Sequence, residues 1–212
     1  MKLGRLYVIV DAATCRGRPL AAVTAEALAG GAQIIQLRAK EWSTRRLLEE
    51  GRAILDLCRR YGVPLLVNDR VDVAWALGAD GVHLGQDDFP LPLARRLLGA
   101  GKIIGLSVDT EEEALAAAAA GADYVSLGPI FPTATKEDAG PVVGLEGLAR
   151  VRRVLTLPLV AIGGINRENA AAVLAAGADA VAVISAVVGA VDVRAATAAL
   201  RALLEEKGAR KP

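Results

Sequence analysis

The chain alternates between short apolar runs and longer segments with helical periodicity. The apolar runs are continuous rather than alternating, which is typical of parallel strands that are covered on both faces. They predict eight strands, at residues 5–11, 33–38, 64–68, 81–85, 103–107, 124–130, 158–163 and 180–185. Helical patterns follow the strands, and the plainest of them cover 43–62, 110–121 and 193–208.

One junction recurs along the chain and marks a repeat of helix, turn and strand. It reads "AGGAQIIQL" (29–37), "LGADGVHLG" (77–85), "AGADYVSLG" (120–128) and "AGADAVAVI" (176–184). Glycine suits the left-handed residue that ends a helix, and the Asp or Gln that follows begins the next strand. Asn166 and Thr110 are expected to cap the starts of helices, with Glu113 completing a capping box at the second.

Eight strand–helix units in 212 residues predict an α/β fold, a single-domain (β/α)8 TIM barrel that spans residues 1–212. The usual size of such a barrel is about 250 residues, so this one is compact. A doubly wound open sheet is the alternative, because periodicity does not reveal the order of the strands. The barrel is the favoured prediction.

Composition narrows the classes of function. The net charge is +1 and no long run of like charges occurs, which argues against a nucleic-acid surface. The apolar run before Asp11 is too short for a signal peptide or membrane anchor, so we expect no membrane association. Cys15 and Cys58 lack metal-type spacing, and they predict a reduced, cytoplasmic protein.

Polar residues gather where the predicted strands end, which is the end of a barrel that carries function. The second strand ends with Gln36, Arg38 and Lys40, whose shared parity places them on one face. Later strands end with further polar groups, namely Asn68, Asp69, His83, Asp88 and Ser107. Strand endings of this kind, repeated along the chain, predict a site rather than a set of solvated loops.

The charges in this set suggest a phosphorylated substrate and a hard metal. Arg38, Lys40 and Lys136 are cations, whereas Asp69 and Asp88 are carboxylates from neighbouring strands. Mg²⁺ commonly takes one or two carboxylates together with phosphate oxygens, so both charge types fit a substrate whose phosphates bridge protein cations and Mg²⁺. A structural salt bridge between Arg38 and Asp69 is the alternative.

A second anion site is predicted after the last two strands. "IGGIN" supplies Gly163 and Gly164, and "ISAV" supplies Ser185, in the position of the phosphate site of many barrels. A tight turn is the alternative explanation for the glycine pair. The loop "LGPIFPTATKEDAG" (127–140) adds two hydroxyls and an ammonium group that suit a departing pyrophosphate, from Thr133, Thr135 and Lys136. His83 could be an acid or base, or a hydrogen-bonded barrel residue.

Taken in order, these stretches resemble the thiamine phosphate synthase family. The matching motifs are "QLRAK", "NDR", "DGVHLGQDD", "GLS", "LGPIFPTATK", "AIGGI" and "VISA", which span residues 36–186. The resemblance implies a Mg²⁺-dependent transferase that joins 4-amino-5-hydroxymethyl-2-methylpyrimidine pyrophosphate to 4-methyl-5-(2-hydroxyethyl)thiazole phosphate. The products would be thiamine phosphate and pyrophosphate.

The resemblance also implies roles for individual residues. Asp69 and Asp88 would bind Mg²⁺. The pyrimidine pyrophosphate would lie on Arg38, Lys40, Asn68 and Lys136, with Gln36 and Ser107 nearer the ring. The thiazole phosphate would lie on Thr133, Thr135, Gly164, Ile184 and Ser185. The resemblance thus assigns the two threonines to the thiazole phosphate, whereas the residue types alone suggested the pyrophosphate. Arg38, Lys40, Lys136 and Ser107 are the expected catalytic residues.

Three alternatives share the predicted fold. Thiazole tautomerase relatives, as the family pattern implies, carry histidine where this chain has Pro129. A phosphate-binding isomerase or epimerase would need an acid/base pair, which only His83 with Asp69 or Asp88 could supply. A non-catalytic barrel could bind thiamine precursors and regulate expression. The expected partners are small phosphorylated substrates, and both a monomer and a homo-oligomer agree with the sequence.

Overall fold

The structure, a computed structural model, describes residues 3–133, 135 and 140–208. Eight parallel strands close into a barrel in chain order, because β8 pairs with β1. The strands are β1 Leu6–Asp11, β2 Ile34–Arg38, β3 Leu65–Asn68, β4 Gly81–Leu84, β5 Ile103–Val108, β6 Tyr124–Leu127, β7 Leu159–Ile162 and β8 Ala180–Val183. The predicted (β/α)8 barrel is therefore confirmed, and the open doubly wound sheet is excluded.

Helices follow every strand and cover the outside of the barrel. They are α1 Leu20–Ala29, α2 Thr44–Tyr61, α3 Val71–Leu77, α4 Leu91–Leu98, α5 Glu111–Ala119, α6 Gly144–Val154, α7 Ala170–Ala175, α8 Ser185–Val188 and α9 Val193–Gly208. Across the described part of the chain, none of these helices combines the length and the apolar character needed to cross a membrane.

Two predicted strands are too long by two or more residues at their carboxyl ends. β6 ends at Leu127 because Pro129 has no N–H for the ladder, although Ile130 N still donates to the Ile162 carbonyl at 2.9 Å. β8 ends at Val183, since Ser185 already begins α8. Both differences lie at the mouth of the barrel, where the chain leaves the sheet to form the loops of the site.

The helix ends test the predicted caps. Thr110 caps α5 by accepting a hydrogen bond from Glu113 N at 3.1 Å, but the Glu113 carboxylate accepts from Asp109 N at 2.7 Å and not from the Thr110 N–H. The prediction for Asn166 is wrong, because α7 begins only at Ala170. Asn166 instead stabilises the turn before this helix through bonds within residues 166–169.

The recurring junction has a structural role at the amino-terminal end of the barrel, which we call the lower end. Asp80 Oδ2 accepts from Leu65 N at 2.9 Å, and Asp179 Oδ2 accepts from Leu159 N at 3.0 Å. Asp123 does the same for Ile104 N at 2.7 Å, and Gln33 for Arg5 N at 2.8 Å. Each junction residue thus satisfies a backbone donor at the start of the preceding strand, which holds neighbouring strands in register.

Apolar residues fill the space between barrel and helices, and a smaller cluster fills the barrel interior. Cys15 and Cys58 are free and buried in the outer layer. Burial raises the pKa of Cys15 to about 11 and that of Cys58 to about 12. Both thiols are therefore protonated near neutral pH and serve as small apolar residues.

Candidate active site

A cavity of about 390 Å³ opens at the carboxyl ends of the strands, a size that suits small ligands. Every predicted site residue that the structure describes lines it: Gln36, Arg38, Lys40, Asn68, Asp69, Asp88, Ser107, Thr133, Thr135, Gly164, Ile184 and Ser185. Lys136 lies outside the described residues. Residues from distant parts of the chain meet here because parallel strands present their carboxyl ends at one face.

Asp69 and Asp88 form the acidic corner of the cavity. Asp69 follows β3 with a φ of 61°, and its N–H donates to the His83 carbonyl at 2.8 Å. Asp88 Oδ2 accepts from Gly85 N at 2.6 Å. Burial, followed by a hydrogen bond to Asp88 and the charge of Asp88, raises the pKa of Asp69 to about 6, while the nearby Lys40 and Arg38 oppose that rise.

Two carboxylates this close repel each other unless a proton or a cation lies between them. Within the described residues, no group of three or more His, Cys, Asp or Glu side chains is placed to hold a metal by itself. In the described part of the chain, the acidic corner therefore offers the carboxylates of two residues as metal ligands. Mg²⁺ accepts such a partial set, since it keeps waters and takes phosphate oxygens from a substrate.

Arg38 projects beside this corner, but its carboxylate partner is Asp11. Arg38 Nη1 lies 2.5 Å from Asp11 Oδ2, and both side chains are largely buried, with 14% and 4% exposed. The alternative prediction, a structural salt bridge between Arg38 and Asp69, is therefore wrong, because Arg38 pairs with Asp11 instead. The second oxygen of Asp11 accepts from Thr14 N at 2.9 Å and from Thr14 Oγ1 at 2.8 Å. These bonds fix the carboxylate, which in turn holds the guanidinium at the mouth.

The loop after β6 packs on the glycine pair after β7. Gly163 has a φ of 99° and Gly164 a φ of 64°. A Cβ on Gly163 would lie 2.5 Å from Pro129 Cα, and one on Gly164 would lie 2.6 Å from the Pro132 carbonyl oxygen. Both glycines are therefore required by the close approach of this loop as well as by the turn. The loop reaches the next corner too, since Thr135 Oγ1 lies 3.5 Å from Ser185 Oγ.

A chain of hydrogen bonds crosses the floor of the cavity. Gln36 Nε2 donates to the Tyr7 hydroxyl at 2.6 Å, and the Tyr7 and Tyr124 hydroxyls lie 3.0 Å apart. Tyr124 is 2.8 Å from His83 Nδ1, whose Nε2 is 3.0 Å from Ser107 Oγ. Burial raises the pKa of both tyrosines well above the ordinary value, so their hydroxyls keep their protons. His83 is thus a hydrogen-bonded barrel residue.

This floor does not form a nucleophile triad. Ser107 and His83 are paired, but the other imidazole nitrogen faces the neutral Tyr124 rather than a carboxylate. The cavity instead combines cations, an acidic pair, hydroxyls and glycine N–H groups. Such a set can hold anionic groups in defined positions and stabilise charge that develops on a leaving group.

Sequence reasoning missed three residues of this site. Asp11 ends β1 just as other polar residues end their strands, so the same positional rule would have found it. Tyr7 and Tyr124 stand inside apolar strands, where a tyrosine looks like an ordinary core residue. Arg70, in contrast, follows the polar run after β3 but turns outward, and it pairs with the exposed Asp72 at 2.6 Å.

Comparisons with known proteins agree on one family. The family model described as thiamine monophosphate synthase matches residues 6–187. The thiamine-phosphate synthase of Chloroflexus aurantiacus is 56% identical over 200 residues, covering 94% of this chain and 92% of that protein. That of Moorella thermoacetica is 54% identical over 196 residues, covering 92% and 93%. A solved thiamine phosphate pyrophosphorylase from Pyrococcus furiosus is 48% identical, with a TM-score of 0.89 and 97% of each chain covered.

Proposed function

The chain belongs to the thiamine monophosphate synthase family, and we propose that its cavity performs the condensation that this family name describes. The substrates are 4-amino-5-hydroxymethyl-2-methylpyrimidine pyrophosphate and 4-methyl-5-(2-hydroxyethyl)thiazole phosphate. The products are thiamine phosphate and pyrophosphate. The enzyme is a transferase, and it must hold two anionic substrates side by side, which agrees with a mouth that carries two separate polar corners.

We assign the pyrimidine pyrophosphate to the corner formed by the loops after β2, β3 and β4. Arg38 and Lys40 supply positive charge there, and Asn68 supplies an amide. Asp69 and Asp88 fit Mg²⁺, because they place two carboxylates, which are hard oxygen donors, in contact at this corner. Bound Mg²⁺ would neutralise pyrophosphate charge. Lys136 keeps its predicted role on this pyrophosphate, which rests on the motif "GPIFPTATK" alone.

We assign the thiazole phosphate to the opposite corner. Thr133, Thr135 and Ser185 offer hydroxyls, while Gly164 and Ile184 border the space with their backbone. The distance of 3.5 Å between Thr135 Oγ1 and Ser185 Oγ brings the loops after β6 and β8 to a common point. Hydroxyl and backbone N–H donors at this position form a site that suits a phosphate group.

The mechanism that we propose is a dissociative substitution. The C–O bond to pyrophosphate breaks first, and its electron pair leaves with the pyrophosphate. The electron-rich aminopyrimidine stabilises the cation that remains on the exocyclic carbon, and the thiazole nitrogen then attacks that carbon. Arg38 and Lys40 oppose the charge of the departing group, while the floor residues Gln36 and Ser107 orient the ring. The protein needs no nucleophile of its own, which agrees with a Ser107–His83 pair whose other imidazole nitrogen faces Tyr124.

One observation carries this proposal: an acidic pair with adjacent cations and a hydroxyl-rich corner face the same cavity of about 390 Å³. The direct test mixes the purified protein with both phosphorylated substrates and Mg²⁺, and follows thiamine phosphate and pyrophosphate. Equal amounts of both products, and none when either substrate is omitted, are expected. Release of pyrophosphate without thiamine phosphate would refute the proposed coupling.

The same assay separates the alternatives. A thiazole tautomerase would convert its thiazole substrate without the pyrimidine, and this chain has Pro129 where the family pattern places the tautomerase histidine. An isomerase would use His83 as acid or base, yet both ring nitrogens face neutral hydroxyls. A regulator would show calorimetric binding without product. The free, buried cysteines suit the reducing cytoplasm, which we propose as the compartment.

A further inference from the structure

The hydrogen-bond chain in the floor has a direction. A side-chain amide nitrogen can only donate, so Gln36 Nε2 gives its proton to the Tyr7 hydroxyl at 2.6 Å. Tyr7 has one proton of its own, and its remaining partner in the described residues is the Tyr124 hydroxyl at 3.0 Å. Tyr124 must then donate onward to His83 Nδ1 at 2.8 Å. With the amide nitrogen of Gln36 in this position, reversing the bonds beyond it would set one buried donor against another, which is costly.

The same logic sets the tautomer of His83. Since Nδ1 accepts from Tyr124, the ring proton lies on Nε2 and is donated to Ser107 Oγ at 3.0 Å. The five side chains therefore form one directed chain, in which each donates a hydrogen bond to the next, from Gln36 at one end to Ser107 at the other. We call this alignment the floor relay, and its members are Gln36, Tyr7, Tyr124, His83 and Ser107.

The two ends of the floor relay offer different hydrogen-bonding groups to the cavity, an acceptor at one end and a donor at the other. Gln36 lines the cavity, and its Oε1 accepts no hydrogen bond from the described residues, so an acceptor is available there. Ser107 also lines the cavity and already accepts from His83, so its own hydroxyl proton is available as a donor. A ligand that satisfies both ends offers an N–H donor to Gln36 and an acceptor to Ser107.

We propose that Tyr7, Tyr124 and His83 are positioning residues that make the cavity specific for an aminopyrimidine over the corresponding oxopyrimidine. This inference rests on the proposed function, because it concerns how the same site recognises its pyrimidine ring. The exocyclic amine donates to Gln36 Oε1, and a ring nitrogen accepts from Ser107. An oxo group with its ring N–H presents the reverse pattern and leaves both ends unpaired.

The tyrosines matter because a glutamine amide can turn over. Free of constraint, Gln36 could rotate and offer its amide nitrogen to an oxo group. Tyr7 prevents this only while its own proton is engaged by Tyr124. Without the Tyr124 hydroxyl, Tyr7 can turn its proton towards Gln36, and His83 can move its proton to Nδ1 and accept from Ser107. Loss of one remote hydroxyl thus removes the polarity at both ends.

The test compares the binding of two unreactive probes, the monophosphates of the aminopyrimidine and of its oxo counterpart. Calorimetry would give the ratio of their dissociation constants for the wild type and for Tyr124→Phe, which keeps the ring that packs beside Gly105. We expect the wild type to favour the amine, and the ratio to fall at least about tenfold in the variant. An unchanged ratio would overturn the proposal.

Thr197→Val is the matched control. It also removes one buried hydroxyl, which donates to the Val193 carbonyl at 2.7 Å within α9, away from the cavity. This variant should keep the wild-type ratio even where its melting temperature falls. If Tyr124→Phe fails to fold, Tyr7→Phe removes the adjacent link and should lower the ratio in the same way. A fall of equal size in Thr197→Val would show general loosening and overturn the relay.

A spectroscopic readout tests the relay without any substrate. His83 is the only histidine, so imidazole ¹⁵N resonances of the untagged protein arise from this residue alone. We expect the wild type to show a protonated Nε2 and an unprotonated Nδ1, and Tyr124→Phe to lose that pattern. A protonated Nδ1 in the wild type would overturn the inference while the proposed function stood. Failure of both probes to bind the wild type would instead overturn both proposals.

Discussion

The two ends of the barrel use the same residue type in opposite ways. At the lower end, Asp123 and Asp179 each accept from a strand N–H and from an arginine, Arg95 at 2.6 Å and Arg152 at 2.9 Å. At the mouth, Asp69 and Asp88 face each other, and the pKa of Asp69 rises to about 6. Aspartates at the lower end satisfy backbone and arginine donors of the fold, whereas the fold holds those at the mouth close together although their charges repel.

This difference separates a structural end from a functional end better than cavity size does. The lower end also has a cavity, of about 350 Å³, but residues such as Leu3, Val63 and Ile103 line it, and none of the described residues in its lining is charged. The mouth has a cavity of similar size, about 390 Å³, with an acidic corner, cations and hydroxyls. A fold keeps like charges together only where something else, such as a ligand, relieves them.

The largest effect should come from removing a charge at the mouth. Asp69→Asn should lower turnover at least about a hundredfold, the scale of losing one preorganised electrostatic group. Stability should not fall, because the change removes one of two repelling carboxylates and Asn tolerates the φ of 61°. Steady-state kinetics with both substrates and thermal melts measure the two effects. Near-normal turnover would exclude Asp69 from the mechanism.

Metal withdrawal tests the same corner from the other side. Exhaustive chelation should abolish product formation in the wild type, and added Mg²⁺ should restore it, because the acidic pair needs a cation to hold pyrophosphate oxygens. Asp69→Asn should need a much higher Mg²⁺ concentration for half of its residual rate. Full activity in chelator would contradict the assignment of Asp69 and Asp88 as Mg²⁺ ligands.

A smaller effect is expected at Asp11, which acts through Arg38. Asp11→Asn keeps an acceptor for Thr14 but removes the charge that holds the guanidinium at 2.5 Å. We expect kcat/KM for the pyrimidine pyrophosphate to fall about tenfold, since a displaced cation loses part of its contact with the leaving group. The KM of the thiazole phosphate should change little. Equal changes in the kinetic constants for both substrates would indicate a general disturbance of the mouth.

The sequence predicted the barrel well because its signal is local. Each apolar run and each glycine junction lies within about ten residues of sequence. Eight apolar runs that alternate with helical segments leave few folds to consider. Several residues that line the mouth, such as Gln36, Arg38 and Ser107, also followed from their position at the strand ends. Their predicted roles are a separate matter, and the one for Lys136 falls outside the described residues.

The pairings inside the site could not be predicted in this way. Tyr7 and Tyr124 are 117 residues apart and meet only because β1 and β6 face each other across a closed barrel. The Arg38–Asp11 pair depends on the register of β1 with β2, in which these two residues are direct partners. Register and closure are properties of the assembled sheet, so a local pattern does not contain them.

At the lower end, substitutions should change stability and leave catalysis alone. Asp179→Ala leaves the buried Leu159 N–H without its acceptor and Arg152 without its carboxylate, although Arg152 still donates to the Leu157 carbonyl. Because the carboxylate is itself 39% exposed, we expect a loss of about 1 kcal/mol in the free energy of unfolding, seen in chemical denaturation. kcat/KM should remain within about twofold of the wild type. A larger loss of kcat/KM would contradict the division between a structural lower end and a functional mouth.

The smallest effect should come from Asp80→Asn, which asks whether charge matters at the lower end at all. Gln33 already performs the same task with a neutral amide, accepting from Arg5 N at 2.8 Å and Leu6 N at 3.2 Å. An asparagine at position 80 can accept from Leu65 N in the same way, so the free energy of unfolding should change by no more than about 0.5 kcal/mol. Asp80→Ala, which removes the acceptor, should cost more. If the two variants were equally destabilised, the carboxylate charge itself would be what the junction requires, and the lower end would resemble the mouth more closely than its hydrogen bonds indicate.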